Sequence, residues 1–228
     1  MPSEASASAQ RREREKQEVR DRILDAAREL FLAHGYESVS MRKIADAIAY
    51  TPAALYVHFK DKEDLLRQMC RRDFGRLASV FNELAEVEDP IERIREIGLA
   101  YVGFALAYPN HYRLMFMTPS PGPIELEEED LKVRGNPSED SYAFLKLAVD
   151  QALAGGRFSP GLTDADLVTQ TLWAAVHGVA SLTICMDDDP WVECRPAERR
   201  TYVMVDAILT GLTAGSQRPW APVAGGGA

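Results

Sequence analysis

A chain of 228 residues can hold one large or two small domains, and its 46% apolar content can fill a sizeable core. The formal net charge of −9 argues against phosphate binding over the whole chain, since such binding needs local positive charge. The charge is uneven, however: residues 1–76 hold 15 Lys and Arg against 13 Asp and Glu, whereas residues 77–228 hold 11 against 22. The N-terminal part can approach a polyanion, and the acidic remainder is excluded from that role.

The cysteines and the hydropathy pattern favour a cytoplasmic chain. Cys70, Cys185 and Cys194 are far apart and lack CxxC spacing, which is typical of a reducing compartment. A redox switch between Cys185 and Cys194 stays an open alternative. The first residues contain no apolar segment typical of a signal peptide, and the uncharged run Ile97–Tyr108 is too short to span a bilayer. We therefore expect no membrane segment.

Residues 1–17 are rich in Ser and Ala and then in charge, without an apolar period, and are predicted to form a disordered arm. The basic side chains of this arm could follow a DNA groove, but three glutamates alternate with them, which favours a solvated tail. The basic residues are Arg11, Arg12, Arg14 and Lys16.

Helical periodicity begins near Val19 and ends at Gly35, a position suited to a left-handed C-cap. Ser40 is the N-cap candidate of a second, short helix. A third starts at Thr51 with Pro52 in the first helical position, and a fourth opens near Asp61. The turn of about three residues between the second and third helices predicts a helix-turn-helix motif over residues 40–59.

The rest of the chain is also predicted to be helical. Helices are expected from Asp89-Pro90 to Tyr108 and over residues 138–154, 164–186 and 196–214. The proline-rich stretch 118–137 is predicted to be a mobile loop, and 215–228 a tail. No segment is rich in strand formers, so the predicted fold class is all-α.

The N-terminal segment resembles the DNA-binding domain of TetR-family transcriptional regulators. The resemblance runs from Val19 to Leu66, and its most specific part is the pattern LY-x-HF-x-x-KE, formed by Leu55, Tyr56, His58, Phe59, Lys62 and Glu63. One departure is Ala49, in the turn where the family usually has glycine.

A second resemblance, to TetR-type C-terminal domains, rests on NHYRLMFM and on Trp173 followed by His177-Gly178. The family implies a homodimeric repressor that binds double-stranded operator DNA and a small-molecule effector. It also implies a DNA-binding domain over 18–66 and a helical domain for ligand binding and dimerisation over 67–214.

The third helix can be oriented by its own geometry. If Leu55 and Phe59 point into the core, Ala53, Ala54 and Val57 face outward, where small side chains let a helix sit deep in a major groove. Tyr56 and His58 project to either side, toward phosphates, and the capped N-terminus can bind a phosphate. The predicted DNA-binding residues are Ser40, Arg42, Lys43, Thr51, Pro52, Ala53, Ala54, Tyr56, Val57, His58 and Lys62.

Large apolar residues with a few polar groups make the candidate effector site, which would suit an apolar or aromatic molecule. They are Tyr101, Phe104, Tyr112, Met115, Phe116, Phe144, Trp173 and His177. The helix over 164–186 is apolar almost all round, and small residues at four-residue steps on the last helix would let a second subunit approach closely. Those small residues are Ala207, Gly211 and Gly215.

Other functions remain as alternatives. A transcriptional activator or a redox-responsive regulator would use the same fold. An all-helical enzyme could use the acidic clusters Glu127–Asp130 and Asp187–Asp189 to hold Mg²⁺, but both fall at predicted loops or helix ends, where solvated charge is common. We expect no catalytic residues, no cofactor and no metal.

Overall fold

The computed structural model describes residues 4–118, 126–186 and 189–213. These residues form α-helices and one π-helical turn, without a strand among them, which confirms the all-α prediction. The helices are α1 (Glu4–His34), α2 (Met41–Ala47), α3 (Pro52–Tyr56), α4 (Lys62–Asn82), α5 (Pro90–Ala107), α6 (Pro109–Tyr112), α7 (Glu128–Val133), α8 (Ser141–Ala154), α9 (Ala165–Cys185) and α10 (Ala197–Thr213), with the π-helical turn at Arg113–Met117.

Local side-chain chemistry starts several of these helices. The Ser40 hydroxyl accepts the Lys43 N–H at 3.3 Å, and the Thr51 hydroxyl accepts the Ala54 N–H at 3.3 Å. The Asp89 carboxylate accepts two N–H groups in the first turn of α5, at 2.9 and 3.0 Å. These caps confirm the predicted starts of α2, α3 and α5.

The N-terminal residues differ from the prediction. Helix α1 begins at Glu4, which corrects the expectation of a disordered arm over 1–17, although residues 1–3 lie outside the described part. The physical reason is local: residues 4–17 contain good helix formers such as Ala, Arg, Glu and Gln, without Gly or Pro. The ion pair of Arg11 with Glu15 and the hydrogen bond of Gln17 to Asp21 each join residues four positions apart, and such pairs stabilise a helix.

The chain divides into two units. The N-terminal unit comprises Met1–Asp73 and Asn110–Ile124, and the C-terminal unit comprises Phe74–Pro109 and Glu125–Ala228. This division differs from the predicted boundary at residue 66, because a later segment returns to the first unit.

The N-terminal unit has one apolar core. Its buried members come from α1, α2, α3, α4, the loops that join them and the π-helical turn: Ile23, Leu24, Ala27, Phe31, Tyr36, Val39, Met41, Ile44, Ala45, Leu55, Phe59, Leu65, Met69 and Leu114. Gly35 (φ +77°) ends α1 in the left-handed conformation that the sequence predicts there.

In the C-terminal unit, α5 packs against α8, α9 and α10, and α9 also contacts α8 and α10. Gly98 marks a close approach: a Cβ there would lie 2.9 Å from Val205 and 3.3 Å from Val176. Helix α9 is long and apolar enough to cross a membrane by length and composition alone, a test that core helices of soluble proteins also pass.

The stretch predicted as a mobile loop contains a short helix. Helix α7 forms at Glu128–Val133, where the Glu127 N–H donates to Asp130 at 3.0 Å. Residues 119–125 of that stretch and the predicted tail 215–228 lie outside the described residues.

Candidate nucleic-acid interface

Helix α3 and the residues that directly follow it, up to Phe59, have one buried and one exposed side. Leu55 and Phe59 are buried at 0% and 1% exposure, whereas Val57 and Tyr56 are 74% and 55% exposed. Ala53 is exposed as well. The predicted orientation is therefore confirmed for these residues, while Ala54 is half-buried and less accessible than predicted.

The turn before α3 is held in an unusual conformation. Ala49 has φ +58°, in the left-handed region that disfavours residues with a Cβ, at the position where the sequence departs from the family's glycine. The Tyr50 N–H donates to the Ala45 carbonyl at 2.9 Å and closes the turn. The motif therefore keeps the backbone path that glycine would adopt, with strain stored at Ala49.

The two lysines predicted to bind DNA, Lys43 and Lys62, donate to backbone carbonyls in this structure. Lys43 Nζ donates to the Ser38 carbonyl at 2.8 Å. Lys62 Nζ donates to the Tyr36 carbonyl at 2.9 Å and lies 4.0 Å from the centre of the Tyr36 ring. Both lysines thereby stabilise the loop between α1 and α2. Arg42 is exposed and lies 3.9 Å from the Asp46 carboxylate.

His58 lies where α1 meets the end of α3. The Arg20 guanidinium donates to the His58 carbonyl at 3.3 Å and lies 4.9 Å from the centre of the Phe59 ring. Burial lowers the pKa of His58 below its usual 6.5, and the positive charges of Lys16 and Arg20 lower it further. The imidazole is therefore neutral at neutral pH.

A buried charge cluster in the N-terminal unit was not predicted. Arg28 Nη1 donates to the Asp73 carboxylate at 2.6 Å, and His111 Nδ1 lies 2.8 Å from the same carboxylate. Asp73 is completely buried and Arg28 is 5% exposed. The cluster joins α1, α4 and α6, whose residues are 38 or 45 positions apart, so no local sequence signal could have revealed it.

In the C-terminal unit, the polar atoms of Tyr101, Trp173 and His177 meet in one hydrogen-bonded group. Trp173 Nε1 donates to the Tyr101 hydroxyl at 3.1 Å, and that hydroxyl lies 3.4 Å from His177 Nδ1. Tyr101 is 4% exposed and Trp173 is 37% exposed. Burial lowers the pKa of His177, so the ring is neutral at neutral pH and Nδ1 can accept a hydrogen bond from the hydroxyl.

The predicted effector residues fall into two sets. One set lies in the C-terminal unit: Tyr101, Phe104, Phe144, Trp173 and His177. The other set lies in the segment that belongs to the N-terminal unit: Tyr112, Met115 and Phe116. Within the second set, the rings of Tyr112 and Phe116 are 4.9 Å apart, and Tyr112 is fully buried. The structure thus groups Tyr101, Trp173 and His177 by direct contact.

Both α9 and α10 leave apolar side chains exposed. Leu167 and Leu182 of α9 are 56% and 51% exposed, and Val203 of α10 is 60% exposed. Of the predicted interface residues, Ala207 and Gly211 are exposed on α10, and Gly215 lies outside the described residues. The apolar character of α9 is therefore only partly used by contacts within one chain.

No group of three or more His, Cys, Asp or Glu side chains suited to a metal occurs in the part of the chain that the structure describes. The Glu127–Asp130 cluster caps α7, and Asp187 and Asp188 lie outside the described residues. The three cysteines are free thiols, and burial raises the pKa of Cys70 to about 11.

Two family models match the chain. The model of bacterial regulatory proteins of the tetR family matches residues 23–69, and the model of the tetracyclin repressor-like C-terminal domain matches residues 94–185. The chain belongs to the TetR family. Among solved structures, the TetR-family transcriptional regulator PfmR from Thermus thermophilus is similar at a TM-score of 0.62 and 23% identity, over 86% of this chain and 99% of that one. That likeness supports the TetR fold.

Curated TetR-type relatives match the N-terminal region. The transcriptional repressor AcnR of Corynebacterium glutamicum is 39% identical over 69 residues, which is 30% of this chain and 37% of that protein. The transcriptional regulator UidR of Escherichia coli K12 is 41% identical over 80 residues, which is 35% of this chain and 38% of that protein. The chain therefore spans less than two fifths of the length of these curated relatives.

Proposed function

We propose that this chain is a cytoplasmic, sequence-specific DNA-binding transcriptional repressor that leaves its operator when a small molecule binds. The observation that carries the proposal is the exposed side of α3 and of its C-terminal end, where Ala53, Tyr56 and Val57 are exposed. Leu55 and Phe59 anchor the same segment in the core. The printed names of the curated relatives, a repressor and a regulator of transcription, support this choice.

The DNA contact follows from what α3 offers to a duplex. Small apolar side chains allow the helix to lie deep in a major groove, where methyl groups can meet thymine methyls. The Tyr56 hydroxyl and the capped N-terminus of α3 suit phosphate oxygens, which fix position but do not select bases. Base selection therefore depends on apolar contacts, on the DNA shape and on Arg42.

The proposed assembly is a homodimer formed through α9 and α10. Leu167, Leu182 and Val203 are large apolar side chains exposed on these two helices, and burying them would remove apolar area from water. Ala207 and Gly211 allow close approach of a second helix. A two-fold dimer would place two copies of α3 in successive major grooves, which lie roughly 34–36 Å apart.

The proposed effector is an apolar or aromatic small molecule bound in the C-terminal unit near Tyr101, Trp173 and His177. Aromatic rings would contact its apolar body, and the hydrogen-bonded hydroxyl and imidazole would orient a polar group. Binding would shift the equilibrium toward a conformation in which the two copies of α3 no longer fit successive grooves.

The first experiment sequences the genomic DNA that the purified protein retains, and it identifies the operator. Binding to that operator is then measured for Ala53→Glu and Tyr56→Phe. The glutamate variant is expected to abolish binding, because it places a carboxylate against the groove floor. The phenylalanine variant is expected to weaken binding of all sequences alike, since it removes one phosphate contact. Undiminished binding by Ala53→Glu would refute the proposed use of α3.

A further inference from the structure

The N-terminal turns of α1 carry a basic face. Arg12, Lys16 and Arg20 follow one another at four-residue steps in a continuous helix, so they lie along one side of it. Arg12 and Lys16 are exposed and make no ion pair with the described residues. Two cations on this side of α1 are therefore accessible to a ligand.

Arg20 shows where this face leads. Its guanidinium contacts both the His58 carbonyl and the Phe59 ring, directly after α3. Lys16 lies one turn before Arg20 and is close enough to His58 for the two charges to act on the same imidazole. The basic face of α1 thus adjoins the end of the helix that we propose to lie in the major groove.

The helix separates the charges that alternate in the sequence. Glu15 forms an ion pair with Arg11, Nε to Oε1 at 3.7 Å, on the side away from Arg20. Glu13 is the exception, because it precedes Arg20 by seven residues and therefore shares its side. The face from Arg12 to Arg20 keeps a net positive charge even with Glu13 included.

We propose that Arg12 and Lys16 bind backbone phosphates of duplex DNA beside the contact made by α3. Such contacts carry no sequence information, and they raise the affinity for all duplexes together with its dependence on salt. This inference rests on the DNA-binding function proposed above, and it adds an N-terminal contact to each subunit.

The test is a salt titration of the full chain with a mixed-sequence duplex long enough for two half-sites, followed by fluorescence anisotropy. Log affinity falls as log salt rises. The double variant Arg12→Gln/Lys16→Gln is expected to make this slope less steep by about 2 for each subunit bound. Glutamine keeps a good helix propensity, and circular dichroism verifies that the variant is folded.

The matched control is Arg11→Gln/Arg14→Gln, which removes the same charge from other sides of the same helix. Its slope is expected to stay close to that of the unaltered chain, because only charges near phosphates release counterions. Equal slopes for the two double variants would overturn the inference. If the unaltered chain fails to bind duplex DNA at all, the proposed function falls and this inference falls with it.

Ala53→Glu separates the two failures. A chain that binds DNA and loses binding through Ala53→Glu, yet responds equally to both double variants, retains the proposed function without the N-terminal contact. The single variant Glu13→Gln adds a test of sign, since loss of a carboxylate beside Lys16 is expected to tighten binding severalfold. Weaker binding by Glu13→Gln would count against the inference.

Discussion

The two units of the chain are stabilised in different ways. The N-terminal unit combines the two short capped helices α2 and α3 with one compact core and a buried charge cluster, Arg28, Asp73 and His111. In the C-terminal unit, α5 approaches α9 and α10 closely at Gly98, and α9 still leaves Leu167 and Leu182 exposed. Polar contacts, local at the helix caps and long-range in the charge cluster, thus help to fix the geometry of the first unit, whereas the second retains exposed apolar side chains.

The largest expected effect concerns the buried charges of the N-terminal unit. Asp73→Asn should lower the free energy of unfolding by about 3–5 kcal/mol, because the buried Arg28 would lose the carboxylate that compensates it. Urea denaturation of the variant and the unaltered chain measures the change. The control is Asp25→Asn, an exposed carboxylate of α1, with an expected change below about 0.5 kcal/mol. Equal effects of the two variants would contradict the importance of the cluster.

Close packing in the C-terminal unit is tested with two glycines of α5. Gly98→Ala should lower the free energy of unfolding by about 1 kcal/mol, because its Cβ would meet the stiff Val205 side chain and this cost exceeds the gain in helix propensity. A Cβ added at Gly103 would meet no atom within 4 Å, and Gly103→Ala should raise the stability by about 0.5–1 kcal/mol. Thermal unfolding measures both stability changes, which are expected to have opposite signs. Stabilisation by both variants would contradict the close approach of Val205 to Gly98.

The strained turn of the N-terminal unit gives a smaller effect. Ala49→Gly should stabilise the chain by about 0.5–1 kcal/mol, since glycine adopts φ +58° without a clash of its Cβ. Ala47→Gly, on the exposed last residue of α2, should instead destabilise it by about 0.5 kcal/mol. Urea denaturation again provides the measurement. Loss of stability in both variants would show that Ala49 is not strained in this turn.

The smallest expected effect distinguishes the causes that lower the pKa values of His58 and His177. The pKa values of His58 and His177 both lie below 6.5, so the charged form is disfavoured in the folded chain, and the folded state loses stability as pH falls below 6.5. Added salt should raise the pKa of His58, because it screens Lys16 and Arg20, and should leave His177 unchanged, because burial alone lowers its pKa. A histidine NMR titration at low and high salt measures both values, and an equal salt response would contradict this assignment.

Most helix starts could be predicted because their causes are local. Ser40, Thr51 and Asp89 accept N–H groups two or three residues later, so a short window of sequence contains both partners. The inward direction of Leu55 and Phe59 follows from helix periodicity alone. The predicted roles of α3 in binding DNA stay predictions until binding is measured.

Features that depend on distant residues could not be predicted. The partners of Asp73 are 45 and 38 residues away, and Lys62 holds the carbonyl of Tyr36, 26 residues before it. The helix at residues 4–17 was missed for a different reason, since apolar periodicity is absent there and only helix propensity and ion pairs favour it. An all-round apolar sequence likewise predicted that α9 is a helix but not which of its sides would stay exposed.

The return of the segment 110–118 to the N-terminal unit has a consequence for biosynthesis. Leu114 belongs to the core of that unit and His111 to its charge cluster, so neither is complete when the ribosome has released only residues 1–73. During translation the core around the helix-turn-helix motif is completed only after about forty further residues have been synthesised. A fragment ending at Asp73 would expose the apolar surface that Leu114 covers, and its Asp73 carboxylate would lack the contact with His111. A DNA-binding domain cut out along the boundary of the matching family model, at residue 69, should therefore be less stable than the same residues in the whole chain.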